Sequence, residues 1–249
     1  MVYIKVNNAS VNIPLYDISS HRFFSLSKST EKIKVGGNKI INNKNLNVQA
    51  LKNITLEINE GDRIGLIGHN GAGKTTFLRL ISGIYKPDIG SVDIKGSISS
   101  LMKPHEVFLE DATGYENITR MLYYYRQDLN KFETLTNEIA DFSELGENLN
   151  LPIKTYSTGM LIRLSFAIAT SFVPEITLID EDFGGGDKDF YEKAQKRMNE
   201  YMDKSSILVL ASHNNDIIKT YCNKCILLNK GEVVLFDETS KVIQRHYEE

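Results

Sequence analysis

Three short, mostly apolar runs along the chain predict buried strands. Arg63–Ile67 precedes a glycine-rich loop, Ile176–Ile179 precedes three acids, and Ile207–Ala211 precedes a serine and a histidine. Apolar runs of this length, bounded by turn residues, are typical of strands buried on both faces of a sheet. The pattern therefore predicts an α/β fold, with polar side chains following each buried strand.

The remaining pattern predicts two further layers. Ile54–Ile58 alternates apolar and polar side chains, as a half-buried strand does, and Asn59–Asp62 then predicts a hairpin turn. An antiparallel β layer is therefore expected at the N-terminal side of the core. Residues 115–150 are mostly helical in pattern, and the next helix places Leu161, Leu164 and Ile168 on one face. We expect an inserted helical subdomain at about residues 103–172.

The loop after Arg63–Ile67 has the spacing G-x-x-x-x-G-K-T between a predicted strand and a predicted helix. Glycines permit positive φ and let backbone N–H groups converge on an anion, and the helix N-terminus adds partial positive charge. This is the phosphate-binding loop, in which Lys74 is expected to reach the β- and γ-phosphates of ATP and Thr75 to ligate Mg²⁺. The predicted nucleotide-binding residues are Gly68, His69, Asn70, Gly71, Ala72, Gly73, Lys74, Thr75 and Thr76.

Acidic residues follow a second predicted strand. Asp180 ends that strand, at the edge where ligands collect in open α/β sheets, so we expect it to hold Mg²⁺ opposite Thr75. Glu181 comes next and can orient or deprotonate a water in line with the γ-phosphate. His213 ends another strand and would face the γ-phosphate if the two strands are neighbours. The sequence therefore predicts ATP hydrolysis, with Glu181 and His213 as catalytic residues.

Composition narrows the possibilities. The net charge of −3 and the absence of a long basic stripe give no support for nucleic-acid binding. No run of about 18 apolar residues is present, so the chain is not expected to span a membrane itself. The N-terminus lacks an apolar signal-peptide core, which favours an intracellular chain. Cys222 and Cys225 have no second Cys/His pair nearby, so apolar packing is favoured over zinc.

Four motifs occur in order across about residues 50–235. They are GHNGAGKTT at 68–76, YSTGM at 156–160, ITLIDE at 176–181 and SH at 212–213. With these motifs in this order, the chain resembles the nucleotide-binding subunit of an ATP-binding cassette (ABC) transporter. In that family the four are the Walker A, signature, Walker B and switch-histidine motifs, respectively. The resemblance implies a head-to-tail homodimer in which each ATP lies between the P-loop of one copy and the signature motif of the other. The implied signature residues are Ser157, Thr158, Gly159 and Met160.

A narrower resemblance concerns exporters of bacterial polysaccharides. YSTGMLIRLSFAIAT is similar to their YSSGM-x-x-RLAFAIAT, GGDKDFYEKAQKRM to their GD-x-x-F-x-x-K-x-x-x-R-M, and TGYENI to their TGRENI. The resemblance implies that Asp187 is the D-loop aspartate, and Tyr16 is a candidate for stacking on adenine. The usual Q-loop glutamine is missing from residues 98–111.

The resemblance also implies a cellular setting. It implies a separate integral-membrane permease as partner, and a lipid-linked O-antigen, capsule or teichoic-acid polymer as cargo. The chain would lie peripherally on the cytoplasmic face of the bacterial inner membrane. Residues 1–249 would form a single nucleotide-binding domain, without the C-terminal carbohydrate-binding domain of longer members.

Three alternatives remain open at this stage. The first is an ABC ATPase that serves a lipid, drug or small-solute transporter. The second is an ABC ATPase acting on ribosomes or DNA, although such proteins usually carry two cassettes or long coiled-coil arms, and no heptad run is present here. The third is a nucleotide sensor without hydrolysis, which the presence of both Glu181 and His213 disfavours.

Overall fold

The fold is that of a computed structural model that describes residues 1–14, 38–42, 45–100, 108–180 and 188–247. The strands are β1 (Tyr3–Pro14), β2 (Asn38–Asn42), β3 (Asn45–Asn59), β4 (Arg63–Ile67), β5 (Ile89–Lys95), β6 (Ile98–Ser100), β7 (Ile176–Asp180), β8 (Ile207–Ala211), β9 (Lys224–Asn229) and β10 (Glu232–Glu238). The helices are α1 (Lys74–Ile81), α2 (Gly114–Tyr124), α3 (Phe132–Ser143), α4 (Thr158–Ala169), α5 (Lys188–Lys204), α6 (Asn215–Tyr221) and α7 (Thr239–Tyr247).

The chain divides into two compact units. The first comprises Met1–Ile98, Leu178–Glu181 and Ser206–Glu249, and the second comprises Ser99–Thr177 and Asp182–Ser205. No helix in the described ranges is both long and apolar enough to cross a membrane.

The first unit contains an antiparallel sheet with the strand order β2-β3-β1-β5. Ile4 and Val6 of β1 are fully buried, whereas Asn7 and Asn8 are exposed at a register shift. Asn8 has φ of 47°, a left-handed conformation that asparagine tolerates better than most residues. The antiparallel layer expected from the sequence is confirmed.

A mixed six-stranded sheet has the order β10-β9-β4-β8-β7-β6. β4 pairs in parallel with both β8 and β9, and β9 forms an antiparallel hairpin with β10. All three apolar runs predicted as buried strands, now β4, β7 and β8, lie in this sheet. Because Leu66 is opposite Ala211 in the parallel pair, the segments after β4 and β8 leave the sheet at the same edge. The predicted α/β fold with a mixed sheet is confirmed.

The hairpin predicted at Asn59–Asp62 is wrong. The segment does turn, since the Asp62 N–H donates to the Asn59 carbonyl at 2.9 Å. However, β3 belongs to the antiparallel sheet and β4 to the mixed sheet, so the two strands do not pair. Turn residues indicate where the chain reverses direction, but they do not determine which strand the next segment pairs with. That pairing depends on which side chains are buried in the rest of the fold.

The second unit is mostly helical and has its own apolar core. Its fully buried side chains come from α2, α3 and α4 and include Ile118, Leu122, Ile139, Leu164 and Ile168. Leu149 and Tyr156, from the connections between these helices, complete the same cluster. The spacing of the apolar positions along these helices therefore explains why they pack together.

The segment TGYENI begins α2, and four of its side-chain positions have local structural roles. Thr113 is the N-cap, and it forms a capping box with Glu116, in which each side chain accepts from the other residue's backbone N–H. A Cβ on Gly114 would lie 2.4 Å from the Tyr156 hydroxyl, so this close approach requires glycine. Asn117 is fully buried.

Asn117 ties the segment before α2 to the helix. Its Oδ1 accepts from the Leu109 N–H at 2.8 Å, and its Nδ2 donates to the carbonyls of Leu109, Ala112 and Thr113 at 3.0 to 3.3 Å. A buried amide with these partners is stabilising, and its loss would remove the hydrogen bonds to the three carbonyls and leave the Leu109 N–H without this acceptor.

Replacing this amide tests the assignment. We expect Asn117→Leu to lower the free energy of unfolding by roughly 1–3 kcal/mol, because a near-isosteric apolar side chain makes none of these hydrogen bonds and leaves the Leu109 N–H without this acceptor. Urea denaturation followed by far-UV circular dichroism measures the change. Thr119→Ala, at an exposed position of the same helix, is the matched control and should change stability by about 0.5 kcal/mol or less. Equal stabilities of the two variants would contradict the role given to Asn117.

Candidate nucleotide-binding site

The loop between β4 and α1 has the backbone conformation of an anion-binding loop. Gly68, Gly71 and Gly73 have φ of 144°, 79° and 111°, values that side chains disfavour. Gly73 is the N-cap of α1, and no side chain of a described residue caps this helix end. The backbone N–H groups of its first turn therefore face an anion-binding position. The exposed residues of the loop are His69, Asn70, Gly71 and Thr75.

Two strands pack directly against the back of this loop. A Cβ on Gly68 would lie 2.2 Å from the carbonyl oxygen of Leu228 in β9, and a Cβ on Gly73 would lie 3.0 Å from the carbonyl oxygen of Ala50 in β3. Glycine is therefore required at Gly68 and Gly73 by close backbone approach as well as by φ.

The turn between β9 and β10 also supports the loop, which the sequence reasoning missed. The Gly231 N–H donates to the Ala72 carbonyl at 2.8 Å, and the Gly231 carbonyl accepts from the Lys52 N–H at 2.8 Å. Gly231 has φ of 83°, and a Cβ there would lie 2.5 Å from the Ala50 carbonyl oxygen. In the sequence Gly231 is identifiable only as a turn residue, because its contact with the loop lies about 160 positions away along the chain.

Lys74 and His213 meet at the sheet edge. The Lys74 side chain is buried, and its Nζ donates to the Gly68 carbonyl at 2.7 Å and lies 3.3 Å from His213 Nε2. A neutral imidazole protonated on Nδ1 accepts from the ammonium in this arrangement. β8, which leads to His213, lies between β4 and β7 in the sheet, so the neighbouring-strand condition set by the sequence is met.

The oxygen ligands expected for a metal are also at element ends. Thr75 is exposed in the first turn of α1, and Asp180 is the last residue of β7 and is half-buried.

His69 of the loop contacts α7, since the centroid of its ring lies 5.4 Å from that of His246. Within the described residues, no group of three or more His, Cys, Asp or Glu could hold a metal ion alone.

The signature segment begins α4 in the second unit. Ser157 is the N-cap, and its Oγ accepts from the Met160 N–H at 3.2 Å. Ser157 and Thr158 are exposed. Around Gly159, an added Cβ would meet only the Ser157 Oγ, at 3.9 Å. Packing within the described part of the chain thus gives no reason for a glycine in the first turn of this helix, where it is unfavourable relative to alanine.

Three predicted site residues lie outside the described residues: Tyr16, Glu181 and Asp187. The same applies to residues 101–107, which are half of the segment 98–111 that lacks a Q-loop glutamine. The two cysteines are described and are both buried and free. Burial raises the pKa of the Cys222 thiol and of the Cys225 thiol to about 12, which suits apolar packing.

Residues 51–184 match the protein family described as ABC transporter. The O-antigen export system ATP-binding protein RfbE of Yersinia enterocolitica is 40% identical over 245 residues, which are 98% of this chain and 100% of that protein. The teichoic acids export ATP-binding protein TagH of Bacillus anthracis is 36% identical over 200 residues, covering 80% of this chain and 36% of its own length. This chain thus spans the whole of one relative but about a third of the other.

Solved structures show the same fold. The ATP-binding cassette MJ0796, solved as a dimer in a post-hydrolysis state with ADP and Pi, superposes with a TM-score of 0.66 at 20% identity over 95% of this chain and 98% of that one. An ATP-binding subunit of an ABC transporter superposes with a TM-score of 0.70 at 21% identity over 98% of this chain and 93% of that one. With its phosphate-binding loop, its fold and its relatives in agreement, the chain belongs to the ABC transporter family.

Proposed function

We propose that this chain is the ATP-hydrolysing subunit of an ABC transporter that exports lipid-linked polysaccharide across the bacterial inner membrane. The observation that carries the ATPase part is the buried Lys74 ammonium, 2.7 Å from the Gly68 carbonyl and 3.3 Å from His213 at the same sheet edge. The cargo class, which is O-antigen, capsule or teichoic acid, is supported by the two relatives named as O-antigen and teichoic acid export proteins.

The residues of the first unit have separate tasks in hydrolysis. Backbone N–H groups of the loop bind the phosphate oxygens, and Lys74 neutralises charge on the β- and γ-phosphates. His213, next to Lys74, contacts the γ-phosphate. Glu181, assigned from the sequence, orients the attacking water as general base.

Mg²⁺ suits this donor set. Thr75 supplies a hydroxyl and Asp180 a carboxylate, and Mg²⁺ at nucleotide sites commonly takes one or two protein ligands and completes its shell with phosphate and water oxygens. When bound, the ion neutralises charge on the transferring phosphoryl group.

The signature residues act on the nucleotide of a second copy of the chain. Gly159 has open space around it, so a glycine there is explained by the approach of a group from outside the chain. Ser157 presents an exposed hydroxyl at the N-terminus of α4, where an anion is favoured. A head-to-tail homodimer brings this helix end to the γ-phosphate in the partner's loop, with Asp187 in the adjoining D-loop.

A separate permease completes the transporter. The chain then acts as a single nucleotide-binding domain, with a helical subdomain at about 103–172, bound peripherally to the cytoplasmic face of the membrane. ATP closes the dimer and hydrolysis opens it, and this motion drives the permease. Co-purification from detergent-solubilised membranes through a tag on this chain tests the assignment: a stoichiometric integral-membrane partner supports it, and ribosomes or DNA-associated proteins in its place would contradict it.

Removing the phosphate-binding ammonium tests the site. We expect Lys74→Ala to weaken ATP binding at least about tenfold, because hydrogen bonds between charged groups contribute roughly 1.5–3 kcal/mol each. Isothermal titration calorimetry measures the dissociation constant. Lys86→Ala, at an exposed position after α1, removes the same charge and should leave it unchanged. An unaltered dissociation constant for Lys74→Ala would refute the assignment of the loop.

Two glycine variants distinguish the effect of the β9–β10 turn on the loop from the effect of backbone strain alone. Gly231→Ala and Gly83→Ala each place a side chain at positive φ, +83° and +78°, but only the first meets a neighbour, the Ala50 carbonyl oxygen at 2.5 Å. We expect Gly83→Ala to lose about 1–2 kcal/mol of stability from the strained φ alone, and Gly231→Ala to lose more, because its side chain also displaces the Ala50 carbonyl. Only Gly231→Ala should also weaken ATP binding, by about three- to tenfold, since its displaced turn no longer holds Ala72. Equal ATP affinities in the two variants would show that the turn does not support the loop.

The trans arrangement is tested by blocking dimerisation. We expect Glu181→Gln to lower ATP turnover at least about a hundredfold while ATP still binds, so that an ATP-dependent dimer accumulates. In that background, Ser157→Arg should abolish the dimer seen by analytical ultracentrifugation, because a long side chain occupies the phosphate approach. Thr119→Arg, exposed on α2 of the same unit, adds the same charge elsewhere and should dimerise normally. A Ser157→Arg chain that dimerises with ATP would rule out the trans site.

A further inference from the structure

Three phenylalanines from three helices of the second unit share one site. Phe142 lies in the last turn of α3, Phe166 lies in α4 and Phe190 lies in α5. The ring centroids of Phe142 are 5.9 Å from Phe166 and 5.8 Å from Phe190, and those of Phe166 and Phe190 are 6.1 Å apart. Phe166 and Phe190 belong to the segments RLSF and FYEKAQKR, whose roles the nucleotide site does not explain.

Cations from the same two segments cover these rings. The Arg163 guanidinium lies 4.8 Å from the centroid of Phe190, and Lys193 Nζ and the Arg197 guanidinium lie 4.6 and 4.3 Å from that of Phe142. Distances below about 6 Å mark favourable cation–π contacts. We call these residues, with Glu138 and Glu144, the three-helix cluster.

The cations also bind acids and helix ends. Glu144 accepts from both Arg163, at 3.3 Å, and Lys193, at 2.6 Å, so one carboxylate joins α4 to α5. Lys193 donates to the Phe142 carbonyl at 3.2 Å, near the end of α3. Cations are favoured at helix C-termini, where backbone carbonyls lack partners.

Arg197 binds the C-terminal end of α4, as Lys193 binds that of α3. It donates to the carbonyl of Thr170, the C-cap of that helix, at 3.1 Å, and to Glu138 of α3 at 2.6 Å. Residues of α5 therefore bind the C-terminal ends of both α3 and α4. Arg163, near the middle of α4, contacts Phe190 of α5 and pairs with Glu144.

Stability alone is a weak reason for this arrangement. Glu144 and Glu138 have side chains 50% and 47% exposed, and their arginine partners are 17% exposed. Water therefore partly screens these ion pairs, which limits their contribution to folding. The separate apolar core of Ile118, Leu164 and their neighbours packs α2, α3 and α4 together, whereas α5 joins them through Phe190 and Ala194. Directional hydrogen bonds and planar guanidinium contacts have a different effect, since they fix how far one helix is shifted along another.

The helices so joined carry the two segments that meet the partner's nucleotide. α4 begins beside Ser157 and Gly159, and α5 begins directly after the segment that contains Asp187. We propose that Arg163, Lys193 and Arg197 are positioning residues that hold the signature end of α4 in register with α5 for ATP-dependent dimerisation. This inference rests on the trans arrangement proposed above.

The test uses the full chain in the Glu181→Gln background. Arg163→Met and Arg197→Met keep most of the aliphatic stem while removing the guanidinium. We expect the dissociation constant of the ATP-dependent dimer, measured by analytical ultracentrifugation, to rise at least about tenfold. The ATP affinity of the monomer, measured at protein concentrations below dimerisation, should stay within about twofold of the parent value, because the loop lies in the other unit.

Two further variants make the result specific. Lys196→Met makes the corresponding change at an exposed position of α5 and should dimerise like the parent. Arg163→Lys keeps the charge that pairs with Glu144 but loses the planar contact with Phe190, so it should weaken the dimer less than Arg163→Met. If either methionine variant does not fold, the dimer dissociation constants of Arg163→Lys and Lys196→Met are compared. A weaker dimer for Arg163→Lys alone supports the positioning role, and equal dissociation constants overturn it.

The outcomes separate the two proposals. If Ser157→Arg abolishes the dimer and the cluster variants dimerise like the parent, the positioning role is overturned and the trans site stands. A parallel loss of monomer ATP affinity would also overturn it, since that indicates general damage. If the parent itself forms no dimer with ATP, the trans arrangement fails and the inference falls with it.

Discussion

The nucleotide site depends on keeping a loop of glycines in a conformation that the loop cannot hold unaided. Gly68, Gly71 and Gly73 are at positive φ, and glycine there is free to leave that region as easily as to enter it. The carbonyls of Leu228 and Ala50 approach this loop so closely that they limit its positions. The antiparallel layer and the β9–β10 hairpin thus restrict the conformation of the loop. The loop in turn determines where Lys74 lies relative to His213.

The sequence predicted those parts of the molecule that depend on neighbours along the chain. β4, the loop and α1 follow one another directly, so a pattern of about twenty residues was enough to recognise them. The apolar runs that became β7 and β8 were recognisable for the same reason.

What the sequence did not predict depends on residues that meet only in the folded chain. Gly231 supports Ala72 across the sheet, and Phe142 completes a ring cluster with Phe190. In the turn Asn59–Asp62, residue types indicated a reversal but contained nothing about which sheet the next strand would join. A charged helix such as α5 is read from composition as a solvated surface, because nothing in its own periodicity marks Arg197 as the residue that caps α4.

The open space around Gly159 has a genetic consequence. Since no described atom of the chain except the Ser157 hydroxyl lies within 4 Å of a Cβ there, a chain with a larger side chain at that position would still fold and still bind its own nucleotide. In the head-to-tail pairing proposed above, the site that it spoiled would be that of its partner. In a cell making both forms, a mixed pair would therefore be impaired at the nucleotide site of the normal copy, while the altered copy's own site would still face an intact signature segment.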